Sequence, residues 1–82
     1  MIIEMSLDHY DRFSEICEAS RPEYEILRNG MVVRRPKDGQ HERIMEIPCK
    51  MPDAKLLLGF AYEVYRPAIP DIEKAIRLAR NK

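Results

Sequence analysis

Eighty-two residues make one domain, and we expect residues 1–82 to fold as a single unit. A domain this small buries only about 60–65% of the surface of its unfolded chain, so its stability is marginal unless another surface adds to the core. Acidic and basic residues number 14 each, and the absence of net charge disfavours nucleic-acid binding, for which domains are usually basic.

Composition also bears on the compartment. Two cysteines are too few for a disulfide framework, and the first ten residues lack the basic and apolar regions of a signal peptide. No apolar run reaches the roughly 18 residues that a membrane span requires. We therefore expect a soluble cytoplasmic protein that does not contact membranes.

The first helix is predicted over residues 7–19. Ser6 is a suitable N-cap, because its hydroxyl can accept from an unpaired amide of the first turn. Arg21-Pro22 is expected to stop the helix. Before it, Ile2-Ile3 could form a short strand or pack as an arm, and two residues do not decide between them. The apolar stripe of the helix consists of Leu7, Tyr10, Phe13, Ile16 and Cys17.

A β-hairpin is predicted around Asn29-Gly30, the preferred dipeptide of a type I′ turn. Its strands would be residues 23–28 and 31–35. The two-residue loop sets a register that places Glu25 opposite Arg34, which is a favourable pair of opposite charges.

A second turn is predicted at residues 36–39, because Pro, Asp and Gly favour turns for separate backbone reasons. The third strand is then predicted over residues 42–47. It is expected to end at Pro48, which cannot donate a hydrogen bond to a sheet.

Residues 53–66, DAKLLLGFAYEVYR, form the most apolar stretch, and two readings of it give different folds. As a helix, the stretch has an apolar arc of about 200°, with Asp53 as a cap and Pro67 as a stop. As a strand it should alternate, and Leu56-Leu57-Leu58 breaks that alternation. We predict the helix, in which Gly59 would let another backbone approach closely. The residues expected in the core are Leu57, Phe60, Ala61 and Val64.

A last helix is predicted over residues 71–80, after Pro70. The order of elements is then α-β-β-β-α-α. It predicts an α+β fold in which a three-stranded antiparallel sheet has helices packed on one face.

Catalytic and metal sites are not predicted. His9, Cys17, His41 and Cys49 are residue types that bind zinc, but each His–Cys pair is eight residues apart, and zinc sites favour closer pairs. No spacing selects Cys17 with His41 for nucleophilic catalysis. No glycine-rich nucleotide motif is present. We therefore expect neither an enzyme nor a bound cofactor or metal.

A basic group on the hairpin and the loop after it could bind phosphate or carboxylate, because guanidinium groups donate in a planar fork. It consists of Arg28, Arg34, Arg35, Lys37 and Arg43. The element order, with PEYEILRNG at 22–30 and Ala54-Lys55 opening the next helix, resembles the double-stranded RNA-binding domain over residues 7–66. That resemblance implies phosphate contacts from a lysine cluster, but Met51-Pro52 stands where the lysine pair would fall. Binding of RNA or DNA is therefore the alternative function.

The favoured function is a small non-enzymatic protein-interaction or regulatory module, either a homo-oligomer or a binder of another protein. It follows from the apolar arc of residues 53–66, which is too wide for so small a chain to cover easily. The residues expected at the interaction surface are Leu56, Leu58, Tyr62 and Tyr65.

Overall fold

The computed structural model describes residues 1–81. A three-stranded antiparallel sheet in the order β1-β3-β2 packs with four α-helices, so the predicted α+β class is confirmed. The strands are β1 (Ile2–Ser6), β2 (Met31–Lys37) and β3 (Gln40–Pro48). The helices are α1 (Leu7–Ile16), α2 (Pro22–Leu27), α3 (Met51–Val64) and α4 (Ile69–Arg80), and a 3-10 turn over Arg66–Ala68 joins the last two. Within residues 1–81, no helix combines the length and apolar character needed to cross a membrane.

The segment 23–28, predicted as a strand, is largely helix α2. Pro22 opens this helix at a position where its missing N–H costs nothing and its fixed φ fits. The amides of Asn29 and Gly30 donate to the carbonyls of Ile26 and Leu27, at 3.2 and 3.0 Å. Asn29-Gly30 therefore follows the end of a helix, and the hairpin predicted there is wrong.

The N-terminal segment supplies a strand of the sheet. β1 pairs antiparallel with β3, which places Ile3 opposite Ile47 and Met5 opposite Met45. All four side chains are buried. Of the two readings of Ile2-Ile3, the strand is the one observed.

The hairpin of this fold joins β2 to β3. Asp38 and Gly39 have φ values of 50° and 79°, the positive values that a type I′ turn requires at both central positions. The turn pairs Lys37 with Gln40. The predicted turn is thus confirmed at Asp38-Gly39, whereas Pro36 and Lys37, predicted within it, belong to β2. β3 begins two residues earlier than predicted.

Ser6 caps α1 as predicted, because its Oγ accepts from the amide of His9 at 3.2 Å. The helix stops at Ile16, before the predicted end at residue 19, since Cys17 adopts an extended ψ of 128°. Phe13 and Cys17 are buried, whereas Ile16, predicted in the same stripe, is exposed.

Most of the central stretch is helical, as predicted. Residues 53–64 belong to α3, which begins at Met51 and ends at Val64, two residues before the predicted end at Arg66. Leu57, Phe60 and Ala61 are buried as expected. Val64 was expected beside them, but it is the last residue of α3 and remains 40% exposed. Asp53 lies inside the first turn instead of capping it, where its negative charge favours the helix dipole.

The core lies between one face of the sheet and the helices, with α4 packed along β1 and α3. Phe60 is near its centre: its ring stacks on Phe13 with centroids 5.2 Å apart, and the Arg21 guanidinium lies 4.4 Å from the ring centre. Burial of a side chain of this size contributes about 1.5–3 kcal/mol. Phe60 therefore joins α1 and the start of α2 to α3.

Two glycines should respond in opposite ways to an added methyl group. A Cβ at Gly30 would lie 2.9 Å from the Met45 Sδ, whereas at Gly59 no atom of another element within residues 1–81 lies within 4 Å, so the expected close approach of a backbone there is wrong. We expect Gly30→Ala to lower the free energy of unfolding by about 1–3 kcal/mol. Gly59→Ala should raise it by about 0.5–1 kcal/mol, because alanine is the better helix former. Urea denaturation measures both, and changes of the same sign would contradict this packing.

The buried ion pair of Glu23 with Arg21 should make the free energy of unfolding depend on pH. It is 4% exposed, and its carboxylate accepts from the Arg21 Nε and Nη2 at 3.3 and 3.0 Å. These hydrogen bonds hold the pKa of Glu23 below its ordinary value. A carboxyl with a lowered folded-state pKa stabilises the fold above its unfolded pKa, and that contribution is lost as pH falls through the folded pKa.

We therefore expect Glu23→Gln to unfold at a lower temperature than the wild type at pH 7. The difference should shrink as the pH falls below about 4. Glu25→Gln, on the same helix but exposed, is the matched control and should change little at any pH. Thermal denaturation followed by circular dichroism across this range is the measurement. A difference for Glu23→Gln that grows towards acid would show the opposite linkage.

Candidate functional site

One face of the sheet is left open in the part of the chain that the structure describes. Side chains alternate along a strand, so the residues between the buried ones of β1 and β3 point away from the core, and their cross-strand partners on β2 do the same. We call this surface the open face. Its apolar members are Ile2, Met31, Val33 and Ile44, with Leu78 of α4 beside Ile2 and Ile44.

Three of these side chains are mostly in water: Ile2, Met31 and Leu78 are 51%, 63% and 56% exposed. A groove of about 250 Å³ lies between α4 and the open face, with Ile2, Ile44 and Leu78 among its lining residues. Single exposed apolar residues are ordinary on a protein surface, but several on one side of a sheet suggest contact with another molecule. The open face is therefore our candidate functional site.

A charged network crosses the middle of the open face. Glu4 and Glu46 lie directly opposite each other on β1 and β3, an arrangement that like charges make unfavourable. Arg35 of β2 bridges them: its Nη2 lies 2.7 Å from a Glu46 oxygen, and its Nη1 pairs with the Glu4 carboxylate. Hydrogen bonds to these carboxylates raise the pKa of Arg35 above its ordinary value.

The strand register shows what the Arg35 side chain covers. Arg35 lies opposite Glu42, and the Val33–Ile44 pair separates that position from Glu46. The side chain must therefore extend across this apolar pair to reach Glu46. Its aliphatic stem shields apolar surface while its charged end is held by carboxylates.

The predicted basic site is divided by these ion pairs. Arg28 and Lys37 each pair with a nearby carboxylate, at 3.5 and 3.4 Å, and Arg35 pairs with two. Among residues 1–81, no carboxylate lies within 4.0 Å of Arg34 or Arg43. These two are directly opposite each other on β2 and β3, on the other side of the sheet from Arg35.

The four residues predicted at the interaction surface, of which Tyr65 lies just beyond the end of α3, do not form one surface. Leu56 lines a shallow groove beside α2, whereas Leu58 lines a groove against α4. Tyr62 is exposed, with its hydroxyl 3.5 Å from a carboxylate oxygen on α4. Tyr65 is half-buried and stacks on Phe13 with centroids 6.1 Å apart. Their role in an interface stays a prediction, and the open face offers more apolar side chains on one side.

No set of side chains within residues 1–81 groups three or more His, Cys, Asp or Glu in a way that could hold a metal ion. His9 Nδ1 lies 3.0 Å from Asp71 Oδ2 and links α1 to α4. Burial raises the pKa of the Cys17 and Cys49 thiols, which favours the protonated and less nucleophilic form. His41 is exposed on β3.

Comparison with protein-family models, with curated proteins and with solved structures found no match for the chain. The outline that resembles the double-stranded RNA-binding domain needs a strand within residues 22–30. Because α2 occupies most of that segment, the structure does not support the resemblance.

Neighbouring arginines of β2 provide a test of the Arg35 network. Arg35→Met keeps an aliphatic stem but leaves Glu4 and Glu46 facing each other without a cation, so we expect it to lower the midpoint of urea denaturation. Arg34→Met is the matched control on the opposite side of the sheet, and it should leave the midpoint unchanged or raise it, because it removes repulsion from Arg43. The loss in Arg35→Met should diminish near 1 M salt, which screens surface charges. Equal losses in the two variants would contradict the network.

Proposed function

We propose that this chain is a small non-enzymatic protein-interaction module that self-associates through the open face of its sheet. The observation that carries the proposal is the set of apolar side chains that all three strands and α4 present on that side. A second copy would remove these side chains from water, and each Å² of apolar surface buried is favourable by about 25 cal/mol.

The total surface area supports an added contact. The chain exposes 5669 Å², whereas a monomer of its mass typically exposes about 5,100 Å². The excess is of the order of the roughly 800 Å² that each partner buries in a standard interface. A contact over the open face would bring the exposed area per chain to or below that of a typical monomer.

Charge supports a second copy as the partner. The chain has no net charge, so two copies do not repel each other at long range, and proteins near zero net charge associate readily. The Arg35 network places one cation against two carboxylates, a net charge of −1, with both carboxylates bound to the guanidinium of the same chain. A second copy would pack on the apolar side chains and leave this network in contact with water, because burying the excess charge is costly.

Binding of RNA or DNA is the less supported alternative. Three of the five basic side chains proposed for it are engaged by carboxylates of the same chain. Phosphate would have to displace those carboxylates, which leaves Arg34 and Arg43 as the available cations.

A cytoplasmic location belongs to the same proposal. Both Cys17 and Cys49 are free thiols, the state that a reducing compartment maintains.

Sedimentation velocity over a range of concentrations tests self-association. We expect the wild type to shift towards a dimer at tens of micromolar, which is within the range of modest protein interfaces. The variant Met31→Lys with Leu78→Lys should sediment as a monomer, because two charges would enter the apolar contact. Both residues are exposed, so the monomer should keep its fold.

Leu56→Lys is the control for the surface on α3, since Leu56 is exposed but lies beside α2. It should dimerise like the wild type. A wild type that stays monomeric at every concentration would overturn self-association. A dimer lost only in Leu56→Lys would place the contact on α3 instead of the open face.

A further inference from the structure

The outer edge of β2 has no strand paired to it in the described chain. The sheet order β1-β3-β2 puts β2 at one side, and β3 is the only element among residues 1–81 that packs extensively against it. At the opposite side, α4 packs along β1. An unpaired strand edge presents backbone donors and acceptors that another extended chain can join.

The hairpin geometry identifies which backbone groups face outward. The two-residue turn makes Lys37 and Gln40 a hydrogen-bonded pair, and hydrogen-bonded and non-hydrogen-bonded pairs then alternate along the ladder. Val32, Arg34 and Pro36 therefore direct their backbone groups away from β3. An added strand can form backbone hydrogen bonds with both the N–H and the C=O groups of Val32 and Arg34. At Pro36 it can only donate to the carbonyl, because proline has no N–H.

The positive charges beside this edge favour an acidic partner. Arg34 and Arg43 form a non-hydrogen-bonded pair, the type in which opposite side chains lie closest. Like charges directly opposite each other are unfavourable, and this pair has no carboxylate within 4.0 Å among residues 1–81. A carboxylate on a strand added next to Arg34 would relieve that repulsion and accept charge-assisted hydrogen bonds.

A second copy of β2 does not supply that carboxylate. β2 has the sequence MVVRRPK, with three basic residues and no acidic one. Pairing two such strands would bring like charges together, so the charge of the edge selects against self-pairing.

We propose that the outer edge of β2 binds an extended acidic segment of a partner protein, which adds a strand to the sheet. The ladder with Val32 and Arg34 provides affinity, and an acidic side chain next to the Arg34–Arg43 pair provides specificity. This edge is separate from the open face, so binding of an acidic segment here does not depend on self-association there.

Fluorescence anisotropy with a labelled peptide of alternating threonine and glutamate tests the proposal. We expect binding to the full chain, and a loss of about tenfold or more in Arg34→Glu, since a hydrogen bond to a charged group is worth roughly the free energy of a tenfold change. Arg77→Glu makes the same charge change on the exposed surface of α4 and should bind like the wild type. Circular dichroism of each variant verifies that the fold is retained.

Three further probes test the preference for acidic side chains, the backbone ladder and the discrimination against nucleic acid. A peptide with lysine in place of glutamate should not bind. A peptide with alternate backbone amides methylated should bind at least about tenfold more weakly, because it loses ladder hydrogen bonds. An RNA duplex at the same salt concentration should not compete with the acidic peptide.

Absence of binding by the acidic peptide would overturn the proposal. Equal losses in Arg34→Glu and Arg77→Glu, or equal binding of the methylated peptide, would do the same. Tighter binding of the RNA duplex than of the peptide would identify the edge as a nucleic-acid site instead.

Discussion

The contact of Phe60 with Phe13 and Arg21 holds the helical layer together. Phe13 comes from α1, Arg21 is the N-cap position of α2, and Phe60 lies in α3, so one ring joins three helices. Glu23 completes the group, because its buried carboxylate pairs with the guanidinium that lies over the ring. Cation–π attraction strengthens as water is excluded, and Glu23 keeps the arginine in place. This contact holds α1, α2 and α3 together as one layer, and the layer packs on a single face of the sheet.

A chain of 82 residues has helical surface enough for one face of this sheet, and the other face is left with apolar side chains in water. The fold limits that exposure with the Arg35 side chain, which must extend across the Val33–Ile44 pair to reach two carboxylates. Binding both carboxylates to one guanidinium lowers the charge of this network to −1 and leaves the apolar side chains around it to meet a second copy. The two adjacent arginines of β2 thus differ in role. Arg35 binds two carboxylates on the open face, whereas Arg34, on the other side of the sheet, has no carboxylate within 4.0 Å among residues 1–81.

Local signals in the sequence predicted most elements, whereas features set by tertiary contact were missed. The Ser6 cap, the turn at Asp38-Gly39 and the helix over residues 53–66 depend on neighbours in sequence, and all three were predicted. The hairpin predicted at Asn29-Gly30 was wrong because this dipeptide occurs after the ends of helices as well as in hairpin turns. Pro22 at the start of the segment is the one local signal for a helix. Burial of Glu23, Ile26 and Leu27 at three- and four-residue intervals is set by tertiary contact and could not be read from the sequence. The open face depends on which strands are neighbours, and pairing β1 with β3 joins residues 38 to 46 positions apart, which no local pattern reveals.

Methyl NMR spectra recorded at increasing protein concentration test the central claim most directly, because they locate any contact by residue. We expect self-association through the open face to cause concentration-dependent shifts in the methyl signals of Ile2, Met31 and Ile44, and to leave the signals of Leu56 beside α2 constant. Shifts confined to Leu56 and its surroundings, or no shifts at any concentration, would contradict it.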